Sequence, residues 1–284
     1  MKLSTLTLLL CGAASVGHAA TLKDAMTGPW PLLPEGPGGT TFPDDGIFHV
    51  DGNWSVNYGG AKPILFLQSL ATFTGPNHHL QLTVPSGQYE GSEIASDAAW
   101  TFNGTTFPYG TVGTGFGYYQ MTVQTAAVGN SANNTGVVNS FFLKGAPCCG
   151  PVQEIDFEFL TNESWLTSAT GAVHCTITSP GGSISQKVNL PFNPSKAPHR
   201  YGLLWTKDGT VKFYADGKLI DTETNPQMVP PANGMTVMAN AWTGNPNWGG
   251  LPPAGNATAT YAFFRYVPNA TAIPASAILP DPTR

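Results

Sequence analysis

Short runs in which apolar and polar residues alternate recur along most of this 284-residue chain. HHLQLTV (78–84), FGYYQMTVQ (116–124), GVVNSFFL (136–143), EIDFEFL (154–160), YGLLWT (201–206), TVKFYADGKLI (210–220) and TYAFFRYV (260–267) all carry the pattern. A period of two marks a strand with one face in a core and the other outside it. Turn clusters such as SPGG, KDGT and ADGK separate the runs at the spacing expected of strands in a sandwich. Asp216-Gly217, between VKFYA and KLI, predicts a tight hairpin. No amphipathic helical stretch or internal linker interrupts the series. The expectation is an all-β chain, one domain of stacked antiparallel sheets over residues 20–284.

The ends break the pattern. Residues 1–19 combine Lys2, an apolar stretch from Leu3 to Leu10 and a small-residue site at Gly17-His18-Ala19, and read as a secretory signal peptide. Residues 20–46, with TGPWPLLPEGPGGTTFPDDG, read as an extended segment wrapped on the domain. The last residues, ATAIPASAILPDPTR, do not form the hydrophobic tail of a lipid-anchor signal. A secreted, extracellular monomer is expected.

Charge narrows the partners. Twelve Lys and Arg stand against 17 Asp and Glu, for a net charge of −5, and the basic residues do not cluster. That balance argues against nucleic acid or an anionic membrane as partner and leaves neutral polysaccharide as a natural candidate. Six N-x-S/T sequons, at Asn53, Asn103, Asn133, Asn162, Asn256 and Asn269, predict a surface-glycosylated protein. Cys148, Cys149 and Cys175 remain once Cys11 leaves with the signal peptide. A disulfide from Cys148 or Cys149 to Cys175 is expected in an oxidising compartment; a Cys148–Cys149 bridge is the alternative. His174 beside Cys175 is weak support for a metal, and none is expected there.

The chemistry concentrates in VQEIDFEFLTN (152–162). Glu154, Asp156 and Glu158 share one face of a strand, while Ile155, Phe157 and Phe159 share the other. Three neighbouring like charges repel and suit an ordinary surface strand poorly. A calcium site is an alternative reading, though calcium ligands usually come from loops and include carbonyls. At about 3.3 Å per residue, the Glu154 and Glu158 Cα atoms lie roughly 13 Å apart. Side chains reaching toward each other then bring the carboxyl groups to about 5 Å, the separation of a retaining glycosidase. Asp156 between them can hydrogen-bond one Glu and raise a neighbour's pKa, so that one stays protonated while the other is ionised.

The chain resembles glycoside hydrolase family 16, which includes lichenases, plant xyloglucan transglycosylases and fungal glucan-chitin crosslinking enzymes. E-I-D-F-E-F-L is similar to that family's catalytic strand in its regular form, without a bulge before the last Glu. GSEIASD (91–97), residues 115–142, PHRYGLLWTKDGTVKFYADGKLI (198–220) and MVPPANGMTVMANAWTGNPNWGG (228–250) follow the family's order. The resemblance implies a concanavalin A-like jelly roll of two curved antiparallel sheets with a glycan cleft on the concave face. It also implies Glu154 as nucleophile, Glu158 as general acid/base and Asp156 as the assisting residue. Glu93 and Phe116 become substrate-binding candidates by the same pattern. Trp242 and Trp248, in a glycine-rich stretch, are candidates for stacking on sugar faces, with Asn240 a hydrogen-bonding neighbour on the face of Trp242. Trp205 is expected in the core and His199 in a structural hydrogen bond, while Trp30 and Trp54 fit either role.

The expected activity is a retaining endo-β-glucanase acting on cell-wall β-1,3/1,4-type glucan. A cell-wall transglycosylase is the nearest rival and a silent glycan-binding lectin a remoter one. No cofactor is expected, and a structural calcium ion is left open. Several positions depart from the family pattern: Gln153 for the usual Asp, Ala95 for the usual Arg, Pro198 for the usual Phe, and the poorly matched AVHCTITS (172–179).

Overall fold

A computed structural model describes residues 20–21, 48–51, 54–58, 62–74, 79–96, 99–102, 105–108, 115–145, 153–230 and 235–275. The expected signal peptide, Trp30 and most of the 20–46 segment lie outside these residues. The strands begin with β1 (Ala20–Thr21), β2 (Phe48–Asp51), β3 (Trp54–Val56), β4 (Ile64–Phe66), β5 (Ala71–Thr74), β6 (His79–Val84) and β7 (Glu90–Ser96). They continue with β8 (Ala99–Phe102), β9 (Thr105–Pro108), β10 (Gly117–Gln124), β11 (Val138–Gly145), β12 (Glu154–Leu160) and β13 (Gly171–Ser179). The last are β14 (Gly182–Leu190), β15 (His199–Thr206), β16 (Thr210–Ala215), β17 (Lys218–Glu223), β18 (Met235–Trp242) and β19 (Ala257–Pro268). Two short helical turns, Gln68–Leu70 and Ser164–Thr167, lie among the strands.

Each alternating run noted above overlaps a strand, and TVKFYADGKLI makes two, β16 and β17. Two large sheets carry the fold. One has the order β17-β16-β15-β10-β19-β6-β5, and the other β14-β13-β12-β11-β18-β7-β4-β3, with β2 also on β7. The β8–β9 hairpin, joined by β1, forms a small third sheet. The Asp216-Gly217 turn joins β16 to β17 with positive φ at both positions (47° and 77°), the geometry that selects Asp-Gly in a two-residue hairpin.

The inner faces of the two sheets make one core. Ile155, Phe157 and Phe159 of β12 are all fully buried in it. Phe157 meets Tyr201 and Phe213 of the opposite sheet edge-on at 5.5 and 5.2 Å, and Phe159 meets Tyr201 at 4.7 Å. Burying each phenyl ring is worth about 1.5–3 kcal/mol, so a one-residue slip of β12, which would turn this face outward, is strongly disfavoured. Tyr261 of β19 adds a tie across the core. Its hydroxyl reaches the carbonyls of Ser140 (3.1 Å) and Asn240 (2.9 Å) on the other sheet.

The same alternation corrects the disulfide expectation. Cys175 is a free, buried thiol in the core, cross-strand from Phe157. Its neighbours His174 and Thr176 take the opposite face of β13, so Cys175 points between the sheets. Cys148 and Cys149 lie outside the described residues.

Candidate active site

The outer face of the β12 sheet is a grid set by cross-strand register. One row runs Lys187–His174–Glu158–Ser140–Asn240–Glu93, across β14, β13, β12, β11, β18 and β7. The next runs Ser185–Thr176–Asp156–Phe142–Met238–Ala95, and the third Ser183–Thr178–Glu154–Lys144–Thr236. The pairing of β12 with β11 is continuous from Glu154 to Leu160, so no bulge turns any of the three acids away. All three line a cleft of about 330 Å³ in this face.

The two glutamates occupy different surroundings. Glu154 Oε1 lies 2.9 Å from Lys144 Nζ, its cross-strand neighbour, with both side chains about a quarter exposed. Burial works against the charge of Lys144, but Glu154 and then Glu93 overcome it and hold the ammonium well above its usual range. Glu158 has neutral donors instead. Trp248 Nε1 donates to Oε1 at 2.7 Å, and Thr176 Oγ1 bonds Oε2 at 2.9 Å. Burial pushes the Glu158 carboxyl above the usual range; those two bonds pull it down without winning, and the charge of Glu154 adds to the rise. Asp156 is 6 % exposed, and its Oδ1 has no hydrogen-bond partner. Burial, then Glu154 and Glu158, push it well above the carboxylate range against the pull of Lys144.

The row through Glu158 continues as a polar floor. Asn240 Nδ2 donates to Glu93 Oε2 at 3.0 Å, and Ser140 Oγ bonds Asn240 Oδ1. All three side chains are buried, so each is fixed in orientation by the others. Trp242 ends β18 beside this floor, and Tyr58 leans on it with ring centroids 4.8 Å apart. Trp54 stacks flat on Phe66 at 4.3 Å and also lines the cleft. Trp248 comes from a tight loop in which Gly250 N and Trp248 N both donate to Asn245 O. Gly249, at φ 79°, passes so close to β11 that a Cβ there would meet Val138 Cγ2 at 2.4 Å.

Glu93, Glu154, Asp156, Glu158, Asn240, Trp242 and Trp248 therefore meet in one cleft, and Trp54 joins them. Phe116 does not. It precedes β10 in the other sheet, packs against Trp205 at 5.0 Å and lines a separate depression with Lys207 and Val229. Trp205 is core, and His199 Nδ1 pairs with Asp216 Oδ2 at 2.7 Å, both as expected. Lys144, Thr176, His174 and Tyr58 were missed. Lys144 was visible in outline, since it follows Ser140 and Phe142 at a spacing of two. Of the sequons, Asn133, Asn256 and Asn269 are exposed. Asn162 is half-buried with its Nδ2 donating to Asn134 Oδ1 at 2.8 Å, which ties up the nitrogen that would carry sugar. Asn53 and Asn103 lie outside the described residues. Among the described residues no cluster of His, Cys, Asp and Glu is arranged to hold a metal ion.

Known proteins place this arrangement. The β-glucanase of Bacillus subtilis (strain 168) is 34 % identical over 131 residues, 46 % of this chain and 48 % of that protein. Xyloglucan endotransglucosylase/hydrolase protein 3 of Arabidopsis thaliana is 34 % identical over 134 residues, 46 % of this chain and 42 % of that protein. The chain thus spans about half the length of the curated relatives it matches. The solved structure of Bacillus licheniformis β-glucanase superposes with a TM-score of 0.62 at 22 % identity, over 85 % of this chain and 98 % of that one, and shows the same jelly roll. Residues 68–262, with all of β12 and the floor beside it, match the glycosyl hydrolases family 16, and the chain belongs to that family.

Proposed function

We propose that the protein is a secreted, retaining endo-β-glucanase that cleaves cell-wall β-1,3/1,4-type glucans by double displacement. The observation that carries this reading is the contrast along β12: a glutamate paired with a cation at one end, and at the other a half-buried glutamate with neutral donors, held toward its protonated form. Glu154 is the nucleophile and attacks the anomeric carbon. Glu158 gives its proton to the leaving oxygen, then takes one from the incoming water. Asp156, whose carboxyl is pushed up by burial and then by its two neighbours, stands between them as the assisting residue and holds back a third negative charge. Trp242, Trp248, Trp54 and Tyr58 offer apolar ring faces to the sugar, while Asn240 and Glu93 offer hydrogen bonds. No step needs a cofactor. Secretion rests on the leader-like residues 1–19 and the exposed sequons.

Transfer to a sugar acceptor is the second reading, favoured by the Arabidopsis relative. The exposed polar face of β14, with Ser183 and Ser185 beyond the catalytic row, is an open shelf on which an acceptor could lie. Incubation with lichenan, laminarin, xyloglucan and chitin oligomers tests both. New reducing ends from the mixed-linkage glucan support the hydrolase, and products longer than the substrate overturn that preference for a transferase.

A further inference from the structure

Glu158 opens onto a line of polar side chains that leads away from the cleft. Thr176 Oγ1, 2.9 Å from Glu158 Oε2, is also 2.9 Å from Ser185 Oγ. Ser185 Oγ is 3.5 Å from His174 Nδ1, the longest link. His174 Nε2 is 2.9 Å from Glu163 Oε1, whose other oxygen lies 2.8 Å from Lys187 Nζ. The His174 ring also stands edge-on to Trp248 at 4.8 Å, the residue that holds Glu158 Oε1.

Donor and acceptor rules fix the direction of this chain. Burial works against the charge of Glu163, but His174 and Lys187 outweigh it and hold the carboxyl below its usual range. An ionised Glu163 only accepts, so His174 Nε2 carries a hydrogen in either charge state. The indole N–H only donates and takes a lone pair of Oε1, so Oε2, which faces the Thr176 hydroxyl, is the oxygen through which Glu158 can share a proton with this chain. With His174 neutral, Nδ1 accepts from Ser185, Ser185 accepts from Thr176, and Thr176 accepts from protonated Glu158. With His174 charged, every arrow reverses, and Thr176 donates to an ionised Glu158.

We propose that Thr176 and Ser185 are a proton relay that makes Glu158 and His174 hold a single proton between them, with His174 as a positioning residue for the acid/base. One proton leaves Glu158 Oε2 for Thr176 as the Thr176 proton passes to Ser185 and the Ser185 proton to His174 Nδ1. Each hydroxyl gains and loses one, so no charge is stranded. A neutral His174 favours the acid that the first half-reaction needs, and an imidazolium favours the base of the second. The groups facing Glu158 are Glu154 and Asp156 from its own strand, His174 and Thr176 from β13, Ser140 from β11, Trp248 from its loop, and Tyr58, whose hydroxyl senses the Glu158 charge across the cleft. Those facing His174 are Glu163, Lys187 and Ser185. The role rests on Glu158 being the acid/base.

The Trp248 indole N–H, bonded to Glu158, is a built-in reporter, and its NMR signal can be followed against pH in the full chain. In His174→Gln the pH at which Glu158 moves this signal rises by roughly half a unit or more, because the imidazolium no longer favours the carboxylate. In Thr176→Val, His174→Gln then adds nothing, and Thr176→Ser restores its effect. Ser185→Ala breaks the same chain at another link and serves if Thr176→Val does not fold. A His174→Gln shift that persists in both broken-chain backgrounds is a direct charge effect and overturns the relay, as does no shift at all. Lichenan hydrolysis by the parent chain is scored separately: an inactive parent with a coupled indole signal sinks the glucanase reading and not the relay.

Discussion

The two ends of β12 present the same side chain to opposite environments. At Glu154 the neighbour is an ammonium, Lys144, 2.9 Å away and held charged by two carboxylates. At Glu158, four residues on, the neighbours are an indole N–H and a hydroxyl, and burial wins. The strand supplies two identical acids; the cross-strand partners make them different. A nucleophile and a proton donor can thus be built from one residue type without distorting the backbone.

The comparison breaks most completely at Glu154. Glu154→Gln keeps shape and loses the attacking oxygen, so turnover on lichenan falls by about 10⁴-fold or more, with an unchanged far-ultraviolet dichroism spectrum. Near-normal turnover would remove Glu154 from the mechanism. Glu158→Gln is smaller and substrate-dependent. Loss of acid assistance costs roughly 10²–10⁴-fold on glucan, and far less in the first step on an aryl glycoside with a good leaving group. Equal losses on both substrates would contradict the acid role. Lys144→Met removes the cation from the Glu154 end and lowers kcat on lichenan roughly tenfold; an unchanged kcat would make Lys144 a bystander.

Stability carries the smallest effect. Asp156 is a buried acid whose folded pKa is raised, so the folded state holds its proton more tightly than the unfolded chain does. Its stabilising contribution is present at low pH and is lost as pH climbs from the ordinary aspartate range toward the raised value. Asp156→Asn removes that loss and should raise Tm by about 2–4 °C at pH 8, with little change at pH 3. A Tm that falls equally at both values would show that the carboxyl makes bonds the amide cannot replace.

Much of this was legible in the chain, and the failures have physical causes. EIDFEFL declared both its strand and its two faces, because burial on one side forces a period of two. The same rule, applied to AVHCTITS, puts His174 and Thr176 on the face that carries the acids and Cys175 in the core. Phe116 came from the family pattern, and a match in motif order does not say which sheet the residue before β10 packs on. Trp54 and Tyr58 reach the cleft by packing on residues far away in sequence, which no local pattern encodes. Ala95, one of the departures from the family pattern noted above, packs with Phe142 and Met238 as an apolar patch, while Lys144 of β11 brings a cation to the cleft.

The central claim is that Glu154 attacks and Glu158 handles the proton. It is tested most directly by trapping the glycosyl-enzyme with a 2-deoxy-2-fluoro β-glucoside bearing a good leaving group, then sequencing the labelled peptide by mass spectrometry. The account predicts one sugar per chain, attached at Glu154. A label at Glu158, or an active enzyme that is never labelled, would contradict it.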